Sequence, residues 1–213
     1  MEFLPEKIDD YTANHTTAES EVLAQLNRET QAKVLQPRML SGHVQGRILS
    51  TFSHMLQPTR ILEIGTYTGY SAICLAEGLV AGGKLVTIDV NEELEDMAKG
   101  YFAKANMEDR IEMHIGNAMD IIPTLNETWD LVFIDADKGN YSHYFDRVIN
   151  HMRPGGYIIA DNVLWSGKVV EKVDAKDAET QALIDFNKKV HADPRVENVL
   201  FAVRDGLMVC RKL

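Results

Sequence analysis

The sequence predicts an α/β protein built on a doubly wound, mostly parallel sheet. From residue 60 onward, short apolar runs of strand length alternate with longer stretches of helical period. Several of those runs end in Gly, Asp or Asn. In parallel sheets, ligands bind just beyond the carboxyl ends of the strands, where such residues would stand. The 213 residues suffice for one sizeable core, so 1–213 is expected to be a single domain.

The elements follow in order. Thr16-Thr17-Ala18-Glu19 has the Thr-x-x-Glu form of a capping box, predicting a helix from there to about residue 29. A second helix is expected over 41–56, stopped by Pro58. The helices of 1–56 are expected to cover the functional site. Residues 60–64 are a short apolar run ending at Gly65 and predict a buried strand. A helix over 70–79 follows, ended by Gly82-Gly83. Then come a strand (84–89), a helix (92–105), a strand (111–115) and a strand (129–135). A helix over 141–152 is broken by Pro154-Gly155-Gly156, and the next strand ends at Asp161. The chain finishes differently. After a helix over 179–191, the runs 196–203 and 207–210 flank Arg204-Asp205-Gly206. Asp-Gly between two apolar runs predicts a hairpin, so the sheet should end antiparallel. The polar, aperiodic stretch 165–177 reads as a loop over the site.

Bulk properties narrow the class. A net charge of −10 argues against a surface made to hold a phosphate backbone. No apolar run approaches the ~18 residues that span a bilayer, so no membrane partner is expected. The start, Met1-Glu2-Phe3-Leu4-Pro5-Glu6-Lys7, lacks the pattern of a signal peptide, and a cytoplasmic protein is expected. Cys74 and Cys210 lie in apolar segments without metal-type spacing and read as buried thiols. None of the seven histidines forms a close-spaced ligand pair; His43, near Ser41, is the one to watch.

Two strand ends carry hard oxygen ligands. The run 131–134 leads into Asp135-Ala136-Asp137-Lys138, and 157–160 into Asp161-Asn162. If these strands are neighbours, Asp135, Asp161 and Asn162 converge, a donor set suited to Mg²⁺ or Ca²⁺. Lys138 adds a candidate general base.

A second site lies upstream, in Glu63-Ile64-Gly65-Thr66-Tyr67-Thr68-Gly69-Tyr70-Ser71. A dinucleotide fingerprint needs a middle glycine where this chain has Tyr67. Glu63 would repel phosphate and instead suits a cationic ligand. S-adenosylmethionine (SAM) carries an ammonium and a sulfonium. Asp89 stands where an acid accepts from ribose hydroxyls, and Gly116-Asn117-Ala118-Met119 should lie beside adenine.

The run 63–71, Thr87-Ile88-Asp89, Phe133-Ile134-Asp135-Ala136-Asp137-Lys138 and Ala160-Asp161-Asn162 together resemble the cation-dependent O-methyltransferases. That family includes catechol and caffeoyl-CoA O-methyltransferases. The resemblance extends from Met39-Leu40-Ser41-Gly42-His43-Val44-Gln45-Gly46 to the end of the chain. It implies a Rossmann-like class I methyltransferase fold, with seven strands in the order 3-2-1-4-5-7-6. It implies Asp135, Asp161 and Asn162 as ligands of Mg²⁺, with Ca²⁺ or Mn²⁺ as alternatives. Lys138 matches the family base, with Asp135 beside it in catalysis. Ser41, Glu63, Gly65, Thr66, Ser71, Asp89, Ala118 and Asp137 match positions that hold SAM. Asp137 thereby moves from the oxygen cluster to the SAM side. The acceptor implied is a small hydroxylated aromatic such as caffeate or a caffeoyl ester, and the assembly a homodimer. The region before Met39, which shapes the family's acceptor pocket, diverges most. A hydroxylated tRNA base, an NAD-linked oxidoreductase and a non-catalytic SAM-binding module are the competing readings.

Overall fold

Seven strands form where the apolar runs lie: β1 (Arg60–Ile64), β2 (Lys84–Asp89), β3 (Ile111–Ile115), β4 (Trp129–Ile134), β5 (Met152–Asp161), β6 (Val196–Phe201) and β7 (Leu207–Lys212). They make one sheet in the order β3-β2-β1-β4-β5-β7-β6, in a computed structural model that describes residues 5–213. β1 to β5 pair in parallel, and β7 runs antiparallel to β5 and β6. This is the class I methyltransferase fold, with the antiparallel finish expected from Asp205-Gly206. The leader reading rests partly on residues 1–4, which lie outside the described residues.

Alternation along the strands divides the interior into two cores. Ile61, Leu85, Leu131, Phe133 and Ile159 face one side, against α3 (Gly42–Leu56), α4 (Tyr70–Ala76) and α5 (Glu95–Lys104). Leu62, Ile64, Val132, Ile134 and Ile158 face the other, against α7 (Tyr141–Val148) and α8 (Ala178–Ala192). A strand buried on both faces reads as continuous apolar sequence, which is why these runs were legible.

The N-terminal segment departs from expectation. α1 (Glu6–Asn14) precedes the Thr16-x-x-Glu19 motif, which caps nothing. α2 (Glu21–Lys33) is capped by Ser20, whose Oγ accepts from Leu23 N at 3.3 Å. Glu19 is used elsewhere, accepting from the Tyr70 hydroxyl at 2.5 Å. Tyr101 donates to Glu29 at 2.5 Å, and Thr30 to Thr68 at 3.2 Å, so α2 is tied over α4 and α5. Two smaller departures follow. Pro154-Gly155-Gly156 lies inside β5, at a register shift against β4, rather than before the strand. A short α6 (Ala118–Ile121) follows β3. No helix among the described residues is long and apolar enough to cross a membrane.

The α3–α4 contact matters for function because α3 carries Ser41 at its start and Gln45 one turn later. Gly46 permits the approach: a Cβ there would lie 2.6 Å from Tyr70 Cε1 and 2.9 Å from Cys74 Sγ. In an open helix, Gly→Ala stabilises by about 1 kcal/mol. Here overpacking outweighs that, and Gly46→Ala is expected to lower stability by about 1–3 kcal/mol in urea unfolding. An unchanged or raised midpoint would contradict this packing.

Candidate active site

The parallel ladders continue one residue past each strand and bring the loop starts level. Gly65 N donates to Ile88 O at 2.9 Å, Asp135 N to Ile64 O at 2.8 Å, and Gly116 N to Asp89 O at 2.8 Å. Gly65, at φ 102, is needed for a second reason. A Cβ there would sit 2.1 Å from the Asp135 carbonyl oxygen. The β1 turn can therefore pass the end of β4 only as glycine.

Glu63 is fully buried at the end of β1. Its Oε2 accepts from Thr87 Oγ1 at 2.6 Å, and Thr87 shares a 2.5 Å hydrogen bond with Thr66 Oγ1. Its Oε1 has no partner among the described residues. Burial pushes the carboxyl up to about 8; the nearby Ser71 hydroxyl and then the Thr87 hydroxyl oppose the rise, and Asp135 and Asp89 add to it. An orphaned acid oxygen of this kind is completed by a ligand donor such as an ammonium. Because the Thr66 hydroxyl points inward to Thr87, its main chain is what it can offer a ligand.

Asp89 is fixed at the end of β2. Oδ2 accepts from Tyr67 N at 2.7 Å, and Oδ1 from Asn91 N at 2.9 Å. Ser71 is buried in the first turn of α4, and Ser41 is buried just before α3. Ala118 opens α6, whose cap Asn117 accepts from Met119 N at 2.9 Å. Asp137 is exposed, and its carboxylate accepts from Tyr144 at 2.5 Å and Asn140 at 2.6 Å. His43 does not face this cleft; its Nε2 meets Thr17 O at 2.7 Å.

β4 and β5 are neighbours, and their ends meet as the sequence anticipates. Lys138 is buried, not solvent-exposed, and its partner is not Asp137. Its Nζ donates to Asp135 Oδ1 at 3.0 Å, Asn162 Oδ1 at 2.9 Å and Tyr141 Oη at 2.6 Å. Tyr141 in turn donates to Asp161 O at 3.0 Å. Asn162 reaches this position through a left-handed backbone, φ 59. Asp161 is buried, with Oδ1 accepting from Asn162 N at 2.7 Å and Oδ2 from Gln45 Nε2 at 2.5 Å. Burial pushes its carboxyl up to about 7, and the Asp135 charge adds to the rise.

Among the described residues, no group of three or more His, Cys, Asp and Glu side chains could hold a metal ion. The donor set here is different: the Asp135 carboxylate and the Asn162 amide oxygen share the Lys138 nitrogen, and the buried Asp161 carboxylate lies beside them, held by Asn162 N and Gln45. Such hard oxygen donors fit a hard divalent cation.

The stretch after Asn162 is attached rather than free. Leu164 N donates to Asp205 O at 2.9 Å, and Ser166 N to Asp205 Oδ1 at 2.5 Å. The loop thus starts at the site and is tied to the β6–β7 turn. Residues that sequence reasoning missed are Gln45, Tyr141 and Arg204. Gln45 and Arg204 act through contacts between elements distant in the chain, and Tyr141 through Lys138, three residues before it, and Asp161. Only the inclusion of Gln45 in the stretch 39–46 hinted at one of them.

The O-methyltransferase family model matches residues 13–213. Caffeoyl-CoA O-methyltransferase 5 of Nicotiana tabacum is 33% identical over 197 residues, covering 87% of this chain and 82% of that protein. Tricin synthase 2 of Oryza sativa subsp. japonica is 35% identical over 186 residues, covering 82% of this chain and 64% of that protein. An O-methyltransferase from Bacillus cereus, solved in complex with SAH, superposes with a TM-score of 0.90 at 31% identity, covering 97% of each chain. TomG from Streptomyces achromogenes, involved in tomaymycin synthesis and solved with SAM, gives a TM-score of 0.88 at 30% identity. That match covers 97% of this chain and 96% of TomG.

Glu63 supplies a pH test. Its carboxyl titrates higher in the folded than in the unfolded chain, so the folded state holds the extra proton between about 4.5 and about 8. Stability then falls as pH rises through that window. Glu63→Gln removes the effect, so in ligand-free protein it should raise the melting temperature at pH 8 and leave it nearly unchanged near pH 4.5. Equal shifts at both pH values would contradict a buried, elevated Glu63.

Proposed function

This chain belongs to the O-methyltransferase family and is a SAM-dependent O-methyltransferase, and from that premise we propose that it methylates a catechol-type hydroxyl with the help of a divalent cation. The observation that carries the proposal is the Lys138 ammonium held between Asp135 and Asn162, beside buried Asp161. That cluster adjoins the β1 turn, where Gly65 packs against the Asp135 carbonyl.

SAM is taken to lie along the ends of β1, β2 and β3. Glu63 Oε1 would accept from its ammonium and Asp89 from the ribose hydroxyls, and Ala118 would border the adenine. Ser41, Gly65, Thr66, Ser71 and Asp137 complete the enclosure. Asp135, Asp161 and Asn162 would hold the cation, with Mg²⁺ the first candidate and Ca²⁺ or Mn²⁺ sharing the donor preference. When bound, it supplies positive charge that favours both an ionised acceptor oxygen and a neutral Lys138 amine.

An ordinary phenol titrates near ~10 and is a poor nucleophile at neutral pH. Lys138 takes its proton. All three donors of Lys138 are engaged, so it is an ammonium and would release one proton to solvent before acting as base. The phenolate oxygen then forms a bond to the methyl carbon, and the carbon–sulfur bond breaks with its electron pair going to sulfur. The products are the methyl ether and neutral SAH. Tyr141, fixed by Asp161 O, holds the Lys138 side chain in place.

The names of relatives, caffeoyl-CoA O-methyltransferase and tricin synthase, favour a hydroxylated aromatic acceptor. The net charge of −10 disfavours a tRNA acceptor. The homodimer belongs to this proposal through the family resemblance, and light scattering tests it.

Purified protein with SAM and caffeate is expected to yield methylated product that EDTA abolishes and Mg²⁺ restores. Lys138→Met should lower kcat by roughly 10²–10⁴-fold. Asp161→Ala should remove activity while SAM affinity by calorimetry stays nearly intact. Turnover unaffected by EDTA would sink the cation, and loss of SAM binding in folded Asp161→Ala would show that Asp161 serves the other ligand.

A further inference from the structure

Gln45 is buried in α3, 1% exposed, between two groups far away in sequence. Arg204 Nη1 donates to its Oε1 at 2.9 Å. Its Nε2 donates to Asp161 Oδ2 at 2.5 Å. The amide orientation follows from chemistry. A guanidinium only donates, so the oxygen must face Arg204 and the NH₂ must face Asp161. Arg204 sits in the β6–β7 turn at φ 48, a left-handed conformation that disfavours a side chain other than glycine. The turn bears that strain while the Arg204 side chain reaches Gln45.

We propose that Gln45 is a positioning residue for the cation ligand Asp161, and that Arg204 acts on the same ligand through Gln45. This rests on the cation reading of the preceding section. Asp161 has two oxygens, one held by Asn162 N and one by Gln45. Together these donors fix the carboxylate plane. Each oxygen keeps a further lone pair for a metal ion. A neutral amide suits this task better than a charged partner. It holds the buried carboxylate without adding a cation that would compete with the metal. Arg204 sets the amide from the far side, and its charge stays one residue removed from the ligand.

Gln45→Met keeps the shape and removes both hydrogen bonds. Mn²⁺ affinity, measured by calorimetry or electron paramagnetic resonance on the SAH-loaded protein, is expected to fall about 10–100-fold. SAH affinity should stay within about twofold. Arg204→Gly relieves the left-handed strain at an exposed turn, so its melting temperature should be equal or higher while Mn²⁺ binding weakens. The double variant should bind Mn²⁺ no more weakly than Gln45→Met alone, because Arg204 acts only through Gln45. Wild-type Mn²⁺ affinity in both single variants would overturn the proposal and leave the cation reading standing. Parallel loss of SAH affinity, or additive losses in the double variant, would also overturn it. If the wild-type protein binds no Mn²⁺, both readings fall together. Should Gln45→Met not fold, Arg204→Gly decides alone: unchanged Mn²⁺ affinity overturns the relay.

Discussion

Buried carboxyl groups gather at the carboxyl end of this sheet, and Lys138 is the cation set among them. Glu63 and Asp161 are almost wholly enclosed, and Asp135 lies beside them with a side chain 19% exposed. An unpaired buried carboxylate costs several kcal/mol. Among the described residues, Lys138 is the one buried Lys or Arg. Its three donors reach Asp135, Asn162 and Tyr141. Both Glu63 and Asp161 titrate high for the same reason: burial, reinforced by Asp135. Such a cluster gains from any bound cation. SAM brings one such cation, its sulfonium, to this end of the sheet.

The sheet makes this concentration possible. β1 lies between β2 and β4, so the chain winds outward in both directions from it. One direction carries Asp89 and the start of α6, the other Asp135 and Asp161. Gly65 stands at the divide, and its missing side chain lets the turn after β1 meet the Asp135 carbonyl. Glu63 at the end of β1 and Asp135 after β4 thus stand one strand spacing apart. The antiparallel hairpin adds what a purely parallel sheet would lack. It returns Arg204 and Asp205 to the same end, where Asp205 holds the loop after Asn162 and Arg204 holds Gln45.

Much of this was legible before any coordinates. β1, β2 and β3 begin and end where the sequence places them; in β1 and β2, burial on both faces leaves a nearly continuous apolar run. Asp135, Asp161 and Asn162 were legible because they follow such strands directly. The start of α2 was not. Two cap-forming patterns compete at 16–20, and tertiary contacts settle the choice by using Glu19 for Tyr70 and Ser20 for the cap. Pro154-Gly155-Gly156 misled because a bulge near the start of a long strand looks like a turn. Gln45 and Arg204 were beyond reach for a different reason. Their contacts span 116 and 159 residues, and neither local period nor spacing encodes such a pair.

The central claim is that the Asp135, Asp161 and Asn162 oxygens bind a divalent cation next to SAM. Anomalous diffraction at the manganese edge, from crystals grown with SAH and Mn²⁺, tests it most directly. The account predicts one strong peak bounded by those three side chains, at roughly 2.0–2.4 Å from the nearest oxygens, with the Lys138 amine displaced from between Asp135 and Asn162. A map with SAH seated, no peak there and Lys138 still bridging the two would contradict it.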